Sequence, residues 1–151
     1  PRNAPMFGPG GRAYVYRSYG LHWCMNVTCG LVGHGAAVLL RALQPLQGDA
    51  LMLRRRLQPL RNKQPPATAY VARRLAVGPG NLCVAMAVAS HHNDADLLRG
   101  PLRIVCDPKR VRGEVVATTR VGISIAQEVP WRFLLANNPH VSKAPSPARA
   151  S

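Results

Sequence analysis

The sequence predicts an α+β fold, a single domain of mostly antiparallel β-sheet with a few short helices. A chain of 151 residues fits one domain with a buried core. Its hydrophobic content of 47% is ordinary for a globular protein. Candidate helices lie between runs of candidate strands without regular strand–helix–strand alternation, which favours α+β over a doubly wound α/β fold. The predicted domain covers residues 1–142, and the basic tail 143–151 is predicted to be disordered.

Three strands are predicted in the N-terminal third of the chain. Residues 1–12 are rich in Pro and Gly, which is typical of a loop. Residues 13–19 alternate and contain β-forming side chains, which predicts a strand with Tyr14, Tyr16 and Ser18 on one face. Gly20 separates this strand from a second one at 21–29. After a Gly-rich turn, the apolar run 36–43 is predicted to be a strand buried on both faces. Gly-rich connections favour antiparallel pairing of these strands.

Short helices are predicted in the middle of the chain. Asp49 is predicted to cap a helix over residues 50–57, and Thr68 to cap one over residues 69–76. A third helix is predicted to begin near Pro79, because proline suits the first helical turn. Its predicted buried residues are Leu82, Cys83, Ala85 and Met86. Further strands are predicted at residues 102–106, 114–118, 120–125 and 131–135.

The charge of the chain points to a polyanionic partner. The formal net charge is +14 and the pI is about 11.2. No apolar run approaches the ~20 residues that span a bilayer, and no helical pattern has a clean apolar face with aromatic anchors. A membrane partner is therefore not expected, and a nucleic acid is favoured. The alternative is a genome-wide preference for arginine, since 17 of the 20 basic residues are Arg.

The four cysteines predict neither a zinc site nor a disulfide framework. No pair of them has the C-x-x-C spacing, and no other metal-ligand pattern stands out. We expect buried free thiols in a reducing cytoplasm, and the sequence shows no signal peptide. No metal and no cofactor are predicted. The four residues are Cys24, Cys29, Cys83 and Cys106.

Aromatic residues are concentrated in one short segment. The chain has eight Phe, Trp and Tyr residues, and four of them fall within residues 14–26. Aromatic faces in a basic background suit a protein that stacks or holds bases. The alternative is that these tyrosines are core residues of a strand, which is their usual place.

This segment resembles a known signature. The pattern Tyr-x-Tyr-x-x-Tyr-Gly-x-x-x-Cys-x-Asn over residues 14–26 is followed by Val-Leu-Leu-Arg-Ala-Leu over residues 38–43. Together they resemble the alkyladenine (3-methyladenine) DNA glycosylase family, and the resemblance runs from Pro1 to about Ser142. It implies a monofunctional, metal-free DNA repair enzyme that hydrolyses the N-glycosidic bond of alkylated or deaminated purines. The implied partner is double-stranded DNA, bound by a monomer.

The resemblance also implies residue roles. Tyr16 would stack on a damaged base flipped out of the duplex, and Tyr19 would insert as a wedge into the space left behind. Asn26 would exclude ordinary guanine, whose exocyclic amino group would clash with it. Arg41 would lie beside the phosphate and the attacking water, in a supporting role.

Two positions are possible phosphate contacts. The segment Gly-Pro-Gly-Asn-Leu-Cys at 78–83 resembles the family's Gly-Pro-x-Lys-Leu-Cys, with Asn81 in place of Lys. A Gly-rich turn that opens a helix offers backbone N–H groups to a phosphate, which makes Gly80 a candidate. The resemblance extends to a segment at 120–123, where Arg120 is the second candidate.

The catalytic base is not expected among the acidic residues of this sequence. In the family it is a Glu on a segment that precedes the residues present here, and this sequence has no acid before Asp49. We therefore expect an N-terminally truncated member, with a sheet edge or core face left open. A non-catalytic DNA-binding remnant or paralogue is the alternative, and an RNA-binding protein is a third possibility that depends on charge alone.

Overall fold

The computed structural model describes residues 2–58, 68–107 and 113–141. The chain divides into two compact units, Pro1–Cys106 and Asp107–Ser151. Both units contain antiparallel strands, and the first also contains helices, which confirms the α+β class. The prediction of one domain over residues 1–142 stays a prediction, and the predicted tail at 143–151 lies outside the described residues.

The first unit is built on a three-stranded antiparallel sheet of order β1-β2-β3. Strand β1 spans Ala13–Ser18 and β2 spans His22–Thr28, so both predicted strands are confirmed to within a residue or two. Their register places Tyr16 opposite Cys24. The antiparallel pairing expected from the Gly-rich connections is confirmed as well.

Strand β3 is shorter than predicted. It spans only Ala37–Leu39, and Val38 is 57% exposed, so the prediction of a strand over 36–43 buried on both faces is wrong. The reason is a change of partner. Beyond Leu40 the chain leaves β2, and the carbonyl oxygen of Arg41 accepts a hydrogen bond from the N–H of Gly78 at 2.8 Å. Pairing with β2 is thereby replaced by pairing with the segment before the third helix.

The helices differ from the predictions at their ends. Helix α1 spans Asp49–Leu57, and Gly48 with a φ of +82° occupies its N-cap, so the prediction of Asp49 as the cap is wrong. Asp49 is instead the first helical residue, where the positive end of the helix dipole stabilises its negative charge. Helix α2 spans Thr68–Ala72 and is shorter than predicted, and α3 spans Pro79–Met86. Two 3-10 helices, Ala4–Phe7 and Ser90–His92, were not predicted.

One face of the sheet forms the core together with α3. Ala13, Val15 and Met25 alternate along β1 and β2 and pack with Leu82 and Cys83 of α3. Burying a Leu or Met side chain contributes about 1.5–3 kcal/mol, so this layer fixes where β1 and β2 sit. The prediction that α3 buries Leu82, Cys83 and Ala85 is confirmed, whereas Met86 is only partly buried.

The outer edge of β1 is covered over most of its length. The N–H of Ala13 donates to the carbonyl of Ala95, and the N–H of Asp94 donates to the carbonyl of Ala13. The N–H of Val15 donates to the side-chain oxygen of Asn93 at 2.9 Å. The expected open edge is therefore not found along this part of β1, because residues 93–95 supply the missing partners.

The second unit contains a two-stranded antiparallel sheet. Strand β4 spans Val115–Thr118 and β5 spans Arg132–Leu135, as predicted to within a residue. The strands predicted at 102–106 and 120–125 are not formed. The second of these stretches is part of a turn, in which the Arg120 side chain donates to the carbonyl oxygen of Ile125.

Candidate functional site

The turn between β1 and β2 holds a tyrosine out in solvent. Tyr19 is 93% exposed, with a φ of +49°, and Gly20 follows with a φ of +70°. The N–H of Leu21 donates to the carbonyl of Ser18 at 2.9 Å across these two residues, which is the pattern that a type I′ hairpin turn requires. A left-handed conformation costs a tyrosine about 1 kcal/mol. Strain of this kind is concentrated at functional sites, so the turn supports the predicted role of Tyr19 as a wedge.

The face of the sheet opposite the core carries the aromatic and polar side chains. Tyr14 and Tyr16 of β1 lie opposite Asn26 and Cys24 of β2, and Ser18 follows Tyr16 on the same face. Successive side chains of a strand point to opposite faces, so the predicted grouping of Tyr14, Tyr16 and Ser18 is confirmed. We call these five residues the aromatic wall. Two of the residues with predicted roles, Tyr16 and Asn26, thus belong to one surface.

Tyr16 is partly buried and has two neighbours on its ring. The Tyr14 ring centroid lies 5.2 Å from its own, with a 31° angle between the planes. The guanidinium carbon of Arg2 lies 5.3 Å from the Tyr16 centroid. Burial, and secondarily the neighbouring Cys24 thiol, raises the pKa of Tyr16, so its phenol is neutral at physiological pH. A neutral, electron-rich ring is suited to stacking on a base.

Asn26 is held in one orientation. It is 7% exposed, and its side-chain nitrogen donates to the Tyr14 carbonyl at 3.0 Å. This bond uses one of the two N–H donors of the amide and leaves the second N–H and the amide oxygen for a ligand. A fixed side chain at this position can discriminate by shape, because moving it aside would break its hydrogen bond to the Tyr14 carbonyl.

Arg41 lies just beyond β3 and close to the aromatic wall. Its Nε atom is buried and has no hydrogen-bond partner among the described residues. The N–H of Leu40 donates to the carbonyl of Met25 at 3.0 Å, which places the residue before Arg41 against β2. Burial raises the pKa of the Cys24 thiol, and the charge of Arg41 opposes that rise. No carboxylate of the described residues pairs with Arg41. A partly buried, unpaired guanidinium is suited to an anionic ligand.

Gly80 has a packing role in the first turn of α3. A Cβ atom at this position would lie 2.8 Å from Cδ2 of His22, so only glycine allows α3 to approach β2 this closely. Asn81, which stands where the family has Lys, uses its side-chain nitrogen to donate to the carbonyl of Val77 at 2.7 Å. The proposed phosphate contact of Gly80 stays a prediction, and the packing alone accounts for the glycine.

Arg120 lies in the second unit and is engaged in its turn. Its Nη2 donates to the carbonyl oxygens of Ile125 at 3.1 Å and Ala126 at 3.4 Å. Its guanidinium carbon lies 5.4 Å from the Trp131 ring. These contacts account for a structural arginine, and the predicted phosphate contact stays a prediction.

Two neighbours of Tyr16 were missed by sequence reasoning as site residues. Tyr14 shares a face with Tyr16, and the period of two along β1 was sufficient to identify it. Arg2 was not identifiable, because its position depends on the 3-10 helix Ala4–Phe7 folding the chain back onto β1. Among residues 2–58, 68–107 and 113–141 there is no cluster of three or more potential metal ligands. In the same residues, no helix is both long enough and apolar enough to cross a membrane.

A cleft of about 600 Å³ borders the aromatic wall at Arg2, whose guanidinium carbon lies 5.3 Å from the Tyr16 ring centroid. It is lined by Arg2, Pro5, Arg12, Asn93 and Asp94, among others, and by Val15 from the opposite face of β1. Tyr16, Asn26 and Arg41 do not line it.

Comparison with known proteins gives consistent matches. A family model described as "Methylpurine-DNA glycosylase (MPG)" matches residues 1–139. Relatives named "Putative 3-methyladenine DNA glycosylase" are 46% identical over 143 residues in Rhodopseudomonas palustris (strain BisB18) and 43% identical over 143 residues in Nitrobacter winogradskyi. A third, in Nitrosospira multiformis, is 41% identical over 142 residues.

These matches cover most of this chain and about two thirds of the relatives. They span 94–95% of this sequence but 65%, 62% and 67% of the three relatives, in the order given. The family match includes the whole aromatic wall, the Tyr19 turn and Arg41. From the extent of the family match and the level of identity, we conclude that this chain belongs to the methylpurine-DNA glycosylase family.

Proposed function

We propose that this chain acts in DNA repair as a glycosylase that flips out alkylated or deaminated purines and hydrolyses their N-glycosidic bond. The observation that carries the proposal is the β1–β2 hairpin, which presents an exposed tyrosine on a strained turn next to a wall of tyrosines. Family membership and the names of the relatives support the same chemistry. The proposed enzyme is monofunctional and metal-free, acts as a monomer on double-stranded DNA, and works in the cytoplasm, associated with the nucleoid.

Wedge and stacking surface are close enough to act on one nucleotide. Tyr16 and Tyr19 are three residues apart, so their Cα atoms are separated by at most about 11 Å. Inserting the exposed ring of Tyr19 into the duplex would fill the space of the extruded base. The extruded base would stack on Tyr16, and base–aromatic stacking contributes about 1–3 kcal/mol.

Selection and chemistry are assigned to Asn26 and Arg41. The fixed amide of Asn26 would meet the purine edge and clash with the exocyclic amino group of normal guanine. Arg41, with its unpaired guanidinium, would hold the phosphate of the flipped nucleotide and the attacking water. Contacts of the Gly80 N–H and of Arg120 with DNA phosphates would add to the affinity.

The general base is proposed to be a glutamate that is not among the six acidic residues of this sequence. In the first unit, Asp94 lies 4.0 Å from the Arg12 guanidinium and Asp96 accepts a hydrogen bond from the N–H of Leu98. Asp49 begins α1. None of these three acids is therefore assigned as the general base for a nucleotide at Tyr16. A general base contributes roughly 10²–10⁴-fold to turnover. For this reason we keep a second candidate function, a non-catalytic DNA-binding member of the family.

The test is single-turnover excision of hypoxanthine and 3-methyladenine from duplex DNA by the purified chain at low salt. Binding to the same duplexes, to undamaged duplex and to RNA is measured in parallel. Excision would support the glycosylase and would contradict the proposal that the base is a glutamate outside the six acidic residues. Preferential binding of damaged duplex without excision would support the second candidate. Equal affinity for RNA and undamaged duplex would contradict both.

A further inference from the structure

We propose that Arg17 forms a phosphate-binding subsite on the β1–β2 hairpin and holds the DNA backbone beside the Tyr19 wedge. This proposal rests on the proposed function, because it takes the hairpin as the element that enters DNA. It assigns a ligand class, a phosphodiester, to a residue outside the aromatic wall. The family signature leaves this position open.

The Arg17 guanidinium is held by a ring on the neighbouring strand. Arg17 and Trp23 are directly opposite each other in the β1–β2 register, and the guanidinium carbon lies 5.6 Å from the Trp23 ring centroid. Trp23 is partly buried and packs against the core, so it provides a fixed platform, whereas Arg17 is exposed. A cation–π contact of this kind does not use the N–H donors of the guanidinium, so they can bind a phosphate in a bidentate way.

The backbone of Arg17 adds a donor at the same place. Along the outer edge of β1, the N–H groups of Ala13 and Val15 are bonded to residues 95 and 93. Arg17 is the next residue of that series, and no described residue accepts its N–H. The outer edge of β1 thus has hydrogen-bond partners as far as Val15, but not at Arg17. Backbone N–H groups are common phosphate ligands in protein–DNA complexes.

The position fits the spacing of DNA phosphates. Arg17 and Tyr19 are two residues apart, so their Cα atoms are separated by at most about 7 Å. Phosphates of one DNA strand succeed each other every ~3.4 Å along the helix axis. The Cα atoms of Arg17 and Tyr19 are therefore separated by no more than about two phosphate steps of a DNA strand. In addition, no carboxylate of the described residues lies within ion-pair distance of Arg17, so its charge is available.

The test is the salt dependence of DNA binding by the 151-residue chain, measured by fluorescence anisotropy on a labelled duplex containing hypoxanthine. Each phosphate that a protein neutralises contributes about −0.9 to the slope of log Kobs against log[salt]. We expect Arg17→Gln to make the slope shallower by about 0.9. Arg17→Lys keeps the charge and is expected to retain the slope. Arg54→Gln, at an exposed position on α1, is the matched control and is expected to leave it unchanged.

The outcomes separate this proposal from the proposed function. An Arg17→Gln slope equal to that of the unmodified chain would overturn the subsite, and loss of affinity in Tyr19→Ala would then show that the hairpin still enters DNA. An equal change in Arg17→Gln and Arg54→Gln would also overturn it, because the effect would be one of net charge. Failure of the unmodified chain to bind duplex DNA would overturn both proposals.

Discussion

The side-chain nitrogen of Asn26 donates a hydrogen bond to the backbone carbonyl of Tyr14 across the β1–β2 pair, at 3.0 Å. Both residues are 7% exposed, so the bond is shielded from water. It joins the residue with a proposed gating role to the strand that carries Tyr16. Stability and base selection are therefore connected at Asn26.

Replacing Asn26 with Ala is expected to weaken both the fold and the selection. The substitution removes the side-chain hydrogen bond to the Tyr14 carbonyl, which is expected to lower the free energy of unfolding by about 0.5–1.5 kcal/mol, measured by urea denaturation. It also removes the group that would clash with guanine, so the preference for hypoxanthine over guanine in competition binding should fall. Asn93→Ala is the control, since it removes another asparagine bond to β1 but lies on the outer edge. An unchanged preference in Asn26→Ala would contradict the gating role.

Replacing Tyr19 with Gly is expected to separate stability from binding. Glycine adopts the positive φ of this turn without strain, and the 93%-exposed tyrosine ring contributes little to the core. The free energy of unfolding should stay the same or rise by up to about 1 kcal/mol. Affinity for duplex DNA containing a damaged purine should fall at the same time, because the wedge is lost. A large loss of stability would show that the ring packs in the fold and is not a free wedge.

Replacing Gly80 with Ala is expected to destabilise the first unit through a clash with His22. The added Cβ would lie 2.8 Å from the His22 ring, and overpacking of this kind typically costs 1–3 kcal/mol. The double variant Gly80→Ala, His22→Ala should recover part of that loss, which a double-mutant cycle measures as coupling. Additive effects of the two substitutions would mean that the two residues do not meet. The glycine would then be needed for some other reason, such as the predicted phosphate contact.

The free energy of unfolding is expected to fall between about pH 9 and pH 12 because of Cys83. Burial raises the pKa of this thiol from 9.0 to about 12, and the side chain is 1% exposed. Below pH 9 the thiol is protonated in both states. As pH rises through this window the unfolded chain loses the proton first, so unfolding is favoured. Cys83→Ala should flatten this pH dependence in urea titrations, relative to Cys29→Ala at an exposed thiol. Equal slopes in the two variants would contradict the assignment.

The sequence predicted those parts of the fold where local chemistry decides the outcome. The alternation of side chains predicted β1 and β2 and put Tyr14 and Tyr16 on one face. The proline at position 79 predicted where α3 begins. The prediction of β3 to residue 43 was wrong because pairing with residues 76–78 is a tertiary choice that no local pattern reveals. The same holds for the stacking of Arg2 on Tyr16, which depends on how a distant segment folds back.

Only some of the predicted site residues lie together in the structure. Tyr16 and Asn26 share the aromatic wall, and Arg41 follows Leu40, which is hydrogen-bonded to β2, all on elements that alternation or resemblance identified. Gly80 and Arg120 are each accounted for by packing or by hydrogen bonds within their own unit. A motif indicates which residue types occur together, but it does not distinguish a glycine needed for close packing from one needed for a ligand.

The covered edge of β1 has a consequence for folding kinetics. The hairpin that carries Tyr16 and Tyr19 is a local contact, because Tyr14 and Asn26 are 12 positions apart, whereas Val15 and Asn93 are 78 positions apart. Closing the longer loop costs more chain entropy, and contacts of high sequence separation form slowly. The hairpin can therefore form early, while its outer edge from Ala13 to Val15 is covered only after residues 93–95 dock. Until then, during synthesis, the growing chain exposes an unpaired strand edge with which other chains can associate.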